Sequence, residues 1–288
     1  MNTKSKKTAE IFDGKKLADE ILLDLRKKIQ LLPSRPGLAA VLIGEDLASH
    51  LYVNSKKKAC QKVGIDFHEY LCGEKCYRDI NQEGLLEMID FLNNDPVVDG
   101  IIVQLPLPKE FDTQKIIERI DPKKDVDVFH PKNYEKFLTD DNQLTPPLIQ
   151  AIQIALSQVR ENLAGKQTLI VAKNEIFSQS LDKALEKNGL KTEVANPDDK
   201  DLLAKIKMAD ILISIVGQKH FIKATMIKPG AVVIDAGTVL GEDKKLFGSV
   251  DPKAEKVASF ITPVPGGIGP LTVAALLKNI YKLANNKL

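Results

Sequence analysis

The sequence predicts two α/β domains, each assembled from βαβ units, and three observations carry that prediction. Short apolar runs bounded by turn residues recur along the chain, as in the buried strands of parallel sheets. These runs alternate with stretches of helical length, the rhythm of parallel strands joined by right-handed crossovers. The alternation breaks once, over the polar segment Asp121 to Leu144, which has no clear periodicity and reads as a hinge between domains. A chain of 288 residues is long enough for two modest domains.

In the first half, Asp13 caps a helix from Gly14 to about Leu32, with Leu17, Ile21, Leu25 and Ile29 as its apolar stripe. A strand over Leu38–Ile43, a helix from about Asp46 to Val63, and Gly64 as its left-handed cap follow. Ile65–Leu71 is a second strand and Leu85–Leu92 lies in a third helix. The third strand is the β-branched run Val97-Val98-Asp99-Gly100-Ile101-Ile102-Val103. It must leave the sheet after Gln104, because Pro106 and Pro108 cannot donate to a ladder. A short helix near Thr113–Ile120 completes this half.

Beyond the hinge, Thr145-Pro146-Pro147 starts a helix to about Val159. Strands at Thr168–Ala172, Lys191–Val194, Asp210–Val216 and Ala231–Asp235 then alternate with helices at Ile176–Lys187 and Leu202–Lys207, a Rossmann-like series. A last short strand covers 258–261, and an amphipathic helix at Leu271–Leu283 is expected to pack back on the first domain. The expected domains are therefore 1–146 with 272–288, and 147–271.

Hydrophobic residues at 43% and charged residues at 28% argue against disorder. A net charge of +2 argues against nucleic-acid or membrane partners. The basic cluster Lys4-Ser5-Lys6-Lys7 precedes no apolar segment, so neither a signal peptide nor a membrane span is expected. Three cysteines, Cys60, Cys72 and Cys76, are too few for a disulfide framework. His68, Cys72 and Cys76 recur every fourth residue but match no common zinc spacing, so no metal site is expected. Reduced thiols in a cytoplasmic protein are the expectation.

Four segments carry chemistry. Gln104 stands at the carboxyl end of a buried strand, where open α/β sheets bind ligands. The competing reading is an amide that merely caps the strand. Ser49, Tyr52 and Lys56 share one helical face. A solvated face accounts equally for Lys56, and a core contact for Tyr52. Tyr-x3-Lys is also the catalytic pair of short-chain dehydrogenases, but there it follows the nucleotide-binding strands and here it precedes them. In Lys124-Asp125-Val126-Asp127 the two carboxylates face different ways in extended chain, so that one can meet a ligand. A charged turn is the alternative. Thr262-Pro263-Val264-Pro265-Gly266-Gly267-Ile268-Gly269-Pro270 is a rigid loop poor in side chains, suited to close approach of a flat ligand.

In order and spacing these segments resemble the bifunctional methylenetetrahydrofolate dehydrogenase/cyclohydrolase family over nearly the whole chain. The resemblance implies a homodimer whose two domains, catalytic and Rossmann-like, flank a cleft. It implies oxidation of 5,10-methylenetetrahydrofolate to the methenyl form with NADP, then hydrolysis to 10-formyltetrahydrofolate. Carried over by position, Lys56 is the general acid/base, Tyr52 stacks on the folate, and Gln104 hydrogen-bonds Lys56. Asp127 accepts from the pterin, and Leu105, Pro265 and Gly266 line the folate pocket. Lys173, Asn174, Thr145, Gly237 and Thr272 fall at cofactor-binding positions.

The chain departs from the family chiefly at the dinucleotide loop. Where the family has Gly-Arg-Ser-x-x-Val-Gly-x-Pro, this chain reads Ala172-Lys173-Asn174-Glu175-Ile176-Phe177-Ser178-Gln179-Ser180. Ala172 and Ser178 are expected to hinder backbone approach to the pyrophosphate, and Glu175 adds negative charge beside it. Asp198 and Asp199, just past the strand Lys191–Val194, are expected either to bind a ribose 2′-hydroxyl or to cap the next helix. Val128 replaces a usual Gly, Leu144 and Leu148 replace Cys and Gly, and Ser249 replaces Asp. The expectation is a folate one-carbon enzyme of this kind with its dinucleotide site altered, so that NADP binds weakly, NAD no worse than NADP, and dehydrogenase activity is low or absent while cyclohydrolase activity persists. The alternatives are a cyclohydrolase alone and a folate-binding or partner-binding protein without catalysis.

Overall fold

A computed structural model describes residues 8–73, 80–139 and 144–285, with only the backbone at Glu175 and Ile176. The chain forms two compact units, Ala18–Pro147 with Val273–Leu288, and Met1–Leu17 with Leu148–Thr272. The first described elements are β1 (Glu10–Ile11) and α1 (Gly14–Ile29).

The three-stranded unit continues with β2 (Gly37–Ile43), α2 (Leu47–Val63), β3 (Asp66–Cys72), α3 (Gln82–Asn94), β4 (Gly100–Val103), α4 (Thr113–Arg119) and α5 (Pro131–Leu138). Its sheet is parallel in the order β3-β2-β4. The central strand β2 is buried throughout, which is why its sequence shows no polar alternation. The limits of α2 are local: Asp46 accepts from the Ser49 N–H at 2.8 Å, and Gly64 ends the helix at φ 89°. The β-branched run is shorter as a strand than expected. Val97 is exposed, and Asp99 turns inward to accept from the Gly37 N–H at 2.8 Å, so pairing starts at Gly100.

The segment read as a structureless hinge is not one. It holds the short helix α5, capped by His130, whose Nδ1 accepts from Lys132 N–H at 3.1 Å. Buried Asp125 accepts from the backbone of Phe129 at 3.2 Å and His130 at 2.9 Å, and from Asn133 Nδ2 at 3.0 Å. Between them Val128, fully buried, adopts φ 60°. A β-branched residue there costs about 1–2 kcal/mol relative to its usual conformation, which its packed side chain offsets.

The six-stranded unit comprises α6 (Pro147–Ser157), β5 (Gln167–Ala172), α7 (Glu175–Glu186), β6 (Lys191–Ala195), α8 (Leu202–Met208), β7 (Ile211–Ile215), β8 (Val232–Asp235), the β9 (Thr238–Leu240) and β10 (Leu246–Gly248) hairpin, and β11 (Phe260–Ile261). α9 (Ile268–Asn285) closes the chain. The main sheet runs β1-β11-β8-β7-β5-β6, all parallel. Strand order reverses at β5, between β6 and β7, so the ligand-binding crevice of such a sheet opens at its carboxyl end. β1 joins this sheet by pairing with β11, so residues up to Leu17 belong here and not with the first domain as expected. A two-residue strand has no period to read. The β9–β10 hairpin was likewise not expected. Among the described residues no helix is long and apolar enough to cross a membrane.

Candidate active site

In the three-stranded unit, β2 and β4 end side by side, because Gln104 N–H extends the ladder to Val41 C=O at 2.8 Å. α2 starts from the same sheet edge, after Gly44 and the Asp46 cap, and carries Tyr52 and Lys56. Lys56 Nζ donates to Gln104 Oε1 at 3.0 Å. Gln104 Nε2 donates to the Leu105 carbonyl at 2.7 Å, which fixes the amide with its oxygen toward the lysine. The strand-end amide therefore orients an amine.

Burial holds the Lys56 ammonium below the ordinary lysine range, against the opposing pull of Asp127. Burial likewise raises the Asp127 carboxyl, with Asp125 adding to the shift and Lys56 opposing it. Each group thus feels the other's charge while both are drawn toward neutrality. One turn beyond Lys56, burial pushes the Cys60 thiol up to about 12, leaving it an inert packing group. Tyr52 is half-buried, and its hydroxyl has no partner among the described residues.

The charged quartet divides its labour. Lys124 Nζ donates to the Leu92 and Asp95 carbonyls at 2.9 and 2.7 Å, and Asp125 caps α5. Asp127 is the carboxylate left toward Lys56. Sequence reasoning missed Asn279, which lies in α9 and is fully buried. Its Nδ2 donates to the carbonyls of Val126 and Thr145, each at 2.9 Å, so α9 pins the loop leading into Asp127. The available signal was a lone amide among Ala275, Leu276, Leu277 and Ile280. Leu105 is half-buried beside Gln104, and half-buried Thr145 receives Asn279 through its carbonyl. The expected absence of a His68–Cys72–Cys76 metal site involves Cys76, which lies outside the described residues.

The other expected residues lie in the six-stranded unit. Pro265 is exposed and Gly266 has φ 105°, its carbonyl accepting from Lys15 N–H at 2.9 Å. A side chain at Gly14 would collide with the Gly267 carbonyl, so part of this loop's glycine content serves packing. Gly237 N–H donates to Asp235 Oδ1 at 3.1 Å, and Thr272 Oγ1 donates to the Ile268 carbonyl at 3.1 Å. Asp235, also missed, closes an otherwise apolar strand. Its Oδ2 accepts from Val250 N–H at 2.8 Å, Thr262 Oγ1 holds its backbone N–H at 2.7 Å, and burial pushes its carboxyl up to about 6.

The dinucleotide loop corrects an expectation. Ala172 is 5% and Ser178 0% exposed, so the atoms that replace glycine hydrogens lie in the interior and not over the phosphate-binding face. That face presents Lys173 and Asn174, both exposed. Asn174 accepts from Phe177 N–H at 3.0 Å and caps α7. Across the crevice Gly217, at φ 66°, has open space around it. These residues fit a dinucleotide: an open cradle, a cation and a helix N-terminus.

Fold and site together define a two-domain α/β enzyme with a buried amine on one unit and a dinucleotide-type sheet on the other. Residues 12–127 match the catalytic domain of the tetrahydrofolate dehydrogenase/cyclohydrolase family, and residues 146–288 match its NAD(P)-binding domain. The chain is 42% identical over 281 residues to the bifunctional protein FolD of Acetivibrio thermocellus, covering 96% of this chain and 97% of that one. The crystal structure of the bifunctional FolD enzyme from Campylobacter jejuni aligns with a TM-score of 0.89 at 36% identity, covering 97% of this chain and 100% of that one. The Trypanosoma brucei FolD, complexed with NADP cofactor and inhibitor, aligns at 0.90 and 28% identity, covering 97% and 98%. This chain belongs to the tetrahydrofolate dehydrogenase/cyclohydrolase family.

Proposed function

We propose that the protein oxidises 5,10-methylenetetrahydrofolate to the methenyl form and hydrolyses that to 10-formyltetrahydrofolate, with Lys56 moving the protons. The observation that carries this is the Lys56–Gln104 hydrogen bond at 3.0 Å, with burial lowering the amine's proton affinity. A neutral lysine takes a proton from water as the oxygen attacks the methenyl carbon. It returns that proton to N5 as the carbon–N5 bond breaks, while the adduct's hydroxyl releases its proton to solvent and becomes the carbonyl of the formyl group left on N10. Gln104 holds the amine in place. Asp127 accepts from pterin N–H groups, Tyr52 stacks on the pterin, and Leu105 lines its pocket.

A nicotinamide dinucleotide supplies the hydride acceptor for the first step. Lys173, Asn174, Gly237 and Thr272 are the residues assigned to hold it. Burial of Ala172 and Ser178 removes one of the reasons to expect a cyclohydrolase alone. The Lys56–Gln104 pair, which mere folate binding would not need, favours a catalyst over a binding protein. We assign folate to the three-stranded unit and the dinucleotide to the six-stranded one, in a cytoplasmic homodimer.

The test follows methenyl absorbance. Pure protein with methenyltetrahydrofolate consumes it, and with methylenetetrahydrofolate plus NAD or NADP forms it. A protein that does neither would overturn the proposal.

A further inference from the structure

Resting on that dinucleotide reading, we propose that the site is built for an unphosphorylated adenosine ribose, so that NAD binds in preference to NADP, with Asp198 as the discriminating residue. β5 and β6 pair in parallel with Val171 opposite Ala195. The chain therefore leaves both strands at one edge, Lys173 from one and Asn196-Pro197-Asp198-Asp199 from the next, about 5 Å apart. An acidic side chain just past this second strand takes the ribose hydroxyls of NAD and repels a phosphate on the 2′ oxygen.

The structure separates the two candidate carboxylates. Asp199 caps the turn, its Oδ2 accepting from Asn196 N–H at 3.1 Å, and Asn196 Oδ1 in turn accepts from Asp198 N–H at 3.1 Å. Asp199 also shares Lys205 with Glu193 and Asp201, at 3.5, 3.2 and 3.3 Å. Asp198 contributes only its backbone to the turn. Its carboxylate is exposed and without a partner among the described residues. Of the two aspartates, Asp198 keeps its carboxylate uncommitted by the turn, just past the end of β6.

The cationic side is weak. Lys173 and Lys200 are exposed point charges that lack the planar fork matching a phosphate. Arg160 is the sole arginine between 148 and 272, and it faces Glu10 at 3.6 Å. Residues 198–201 carry three carboxylates against one lysine. A 2′-phosphate would meet net negative charge there.

The test is calorimetric titration of the full chain with NAD and NADP, repeated on Asp198→Asn and Lys173→Ala. NAD should bind tighter than NADP in the wild type. Asp198→Asn should shift the ratio of the two dissociation constants toward NADP by about tenfold, and Lys173→Ala should shift it further toward NAD. Asparagine retains the backbone hydrogen bond of the turn, and an unchanged unfolding temperature verifies the fold. NADP bound more tightly by the wild type, or an unaltered ratio in Asp198→Asn, would overturn the specificity while leaving the dehydrogenase reading intact. Binding of neither nucleotide would overturn both.

Discussion

Replacing Lys56 by methionine separates chemistry from stability. The variant loses the ammonium-to-carbonyl bond to Gln104, made at 3.0 Å, and bonds to charged groups contribute about 1.5–3 kcal/mol. It also relieves the burial that lowers the lysine's proton affinity, a cost of similar size and opposite sign. Gln104 keeps its bond to the Leu105 carbonyl and, being half-buried, regains water. Denaturant unfolding should therefore change by less than about 1 kcal/mol. Hydrolysis, followed by loss of methenyl absorbance, should fall on the order of 10²-fold or more. The wild-type pH–rate profile should rise along a limb below the ordinary lysine range, as the amine becomes neutral, and that limb should vanish in the variant. Wild-type turnover in Lys56→Met would refute the proton-transfer role. Loss of several kcal/mol with activity retained per folded molecule would make Lys56 a structural residue.

Three further outcomes are expected. Asp127→Ala should weaken folate binding roughly tenfold or more by calorimetry, since a charged acceptor is lost from the pterin; unchanged affinity would remove Asp127 from the site. Asn279→Ala strands the Val126 and Thr145 carbonyls that its side chain now serves. It should cost about 2–4 kcal/mol in denaturant unfolding and raise KM for folate, because Val126 adjoins Asp127. Asp235 titrates near 6 in the folded protein against 3.8 when unfolded. Its contribution to stability is complete below the unfolded value and lost as pH rises through the folded one, about 3 kcal/mol in all. Unfolding free energies measured across that range should show this decline in the wild type, and Asp235→Asn should flatten it.

Local features were legible in the sequence because their causes are local. Asp46 and Gly64 bracket α2 through bonds to their own neighbours, and β2, covered on both faces, announces itself as an unbroken apolar run. The order of the Lys56, Gln104, Asp127 and Pro265-Gly266 segments was enough to place the chain in its family, since family likeness is carried by residue identity and spacing. What tertiary structure decided depends on contacts and burial that no apolar period records. The Asp121 to Leu144 segment looked shapeless because α5 is only eight residues long, too short for its period to stand out among polar neighbours. β1 is invisible until β11 pairs with it. The burial of Ala172 and Ser178, opposite to the reading of them as obstacles, follows from which face of the strand and helix meets the core. Asp198 and Asp199 are the same letter in the sequence, and only the hydrogen bonds of a folded turn commit one to structure and leave the other free. Sequence records which groups are present; desolvation and geometry, which require the fold, determine what each is able to do.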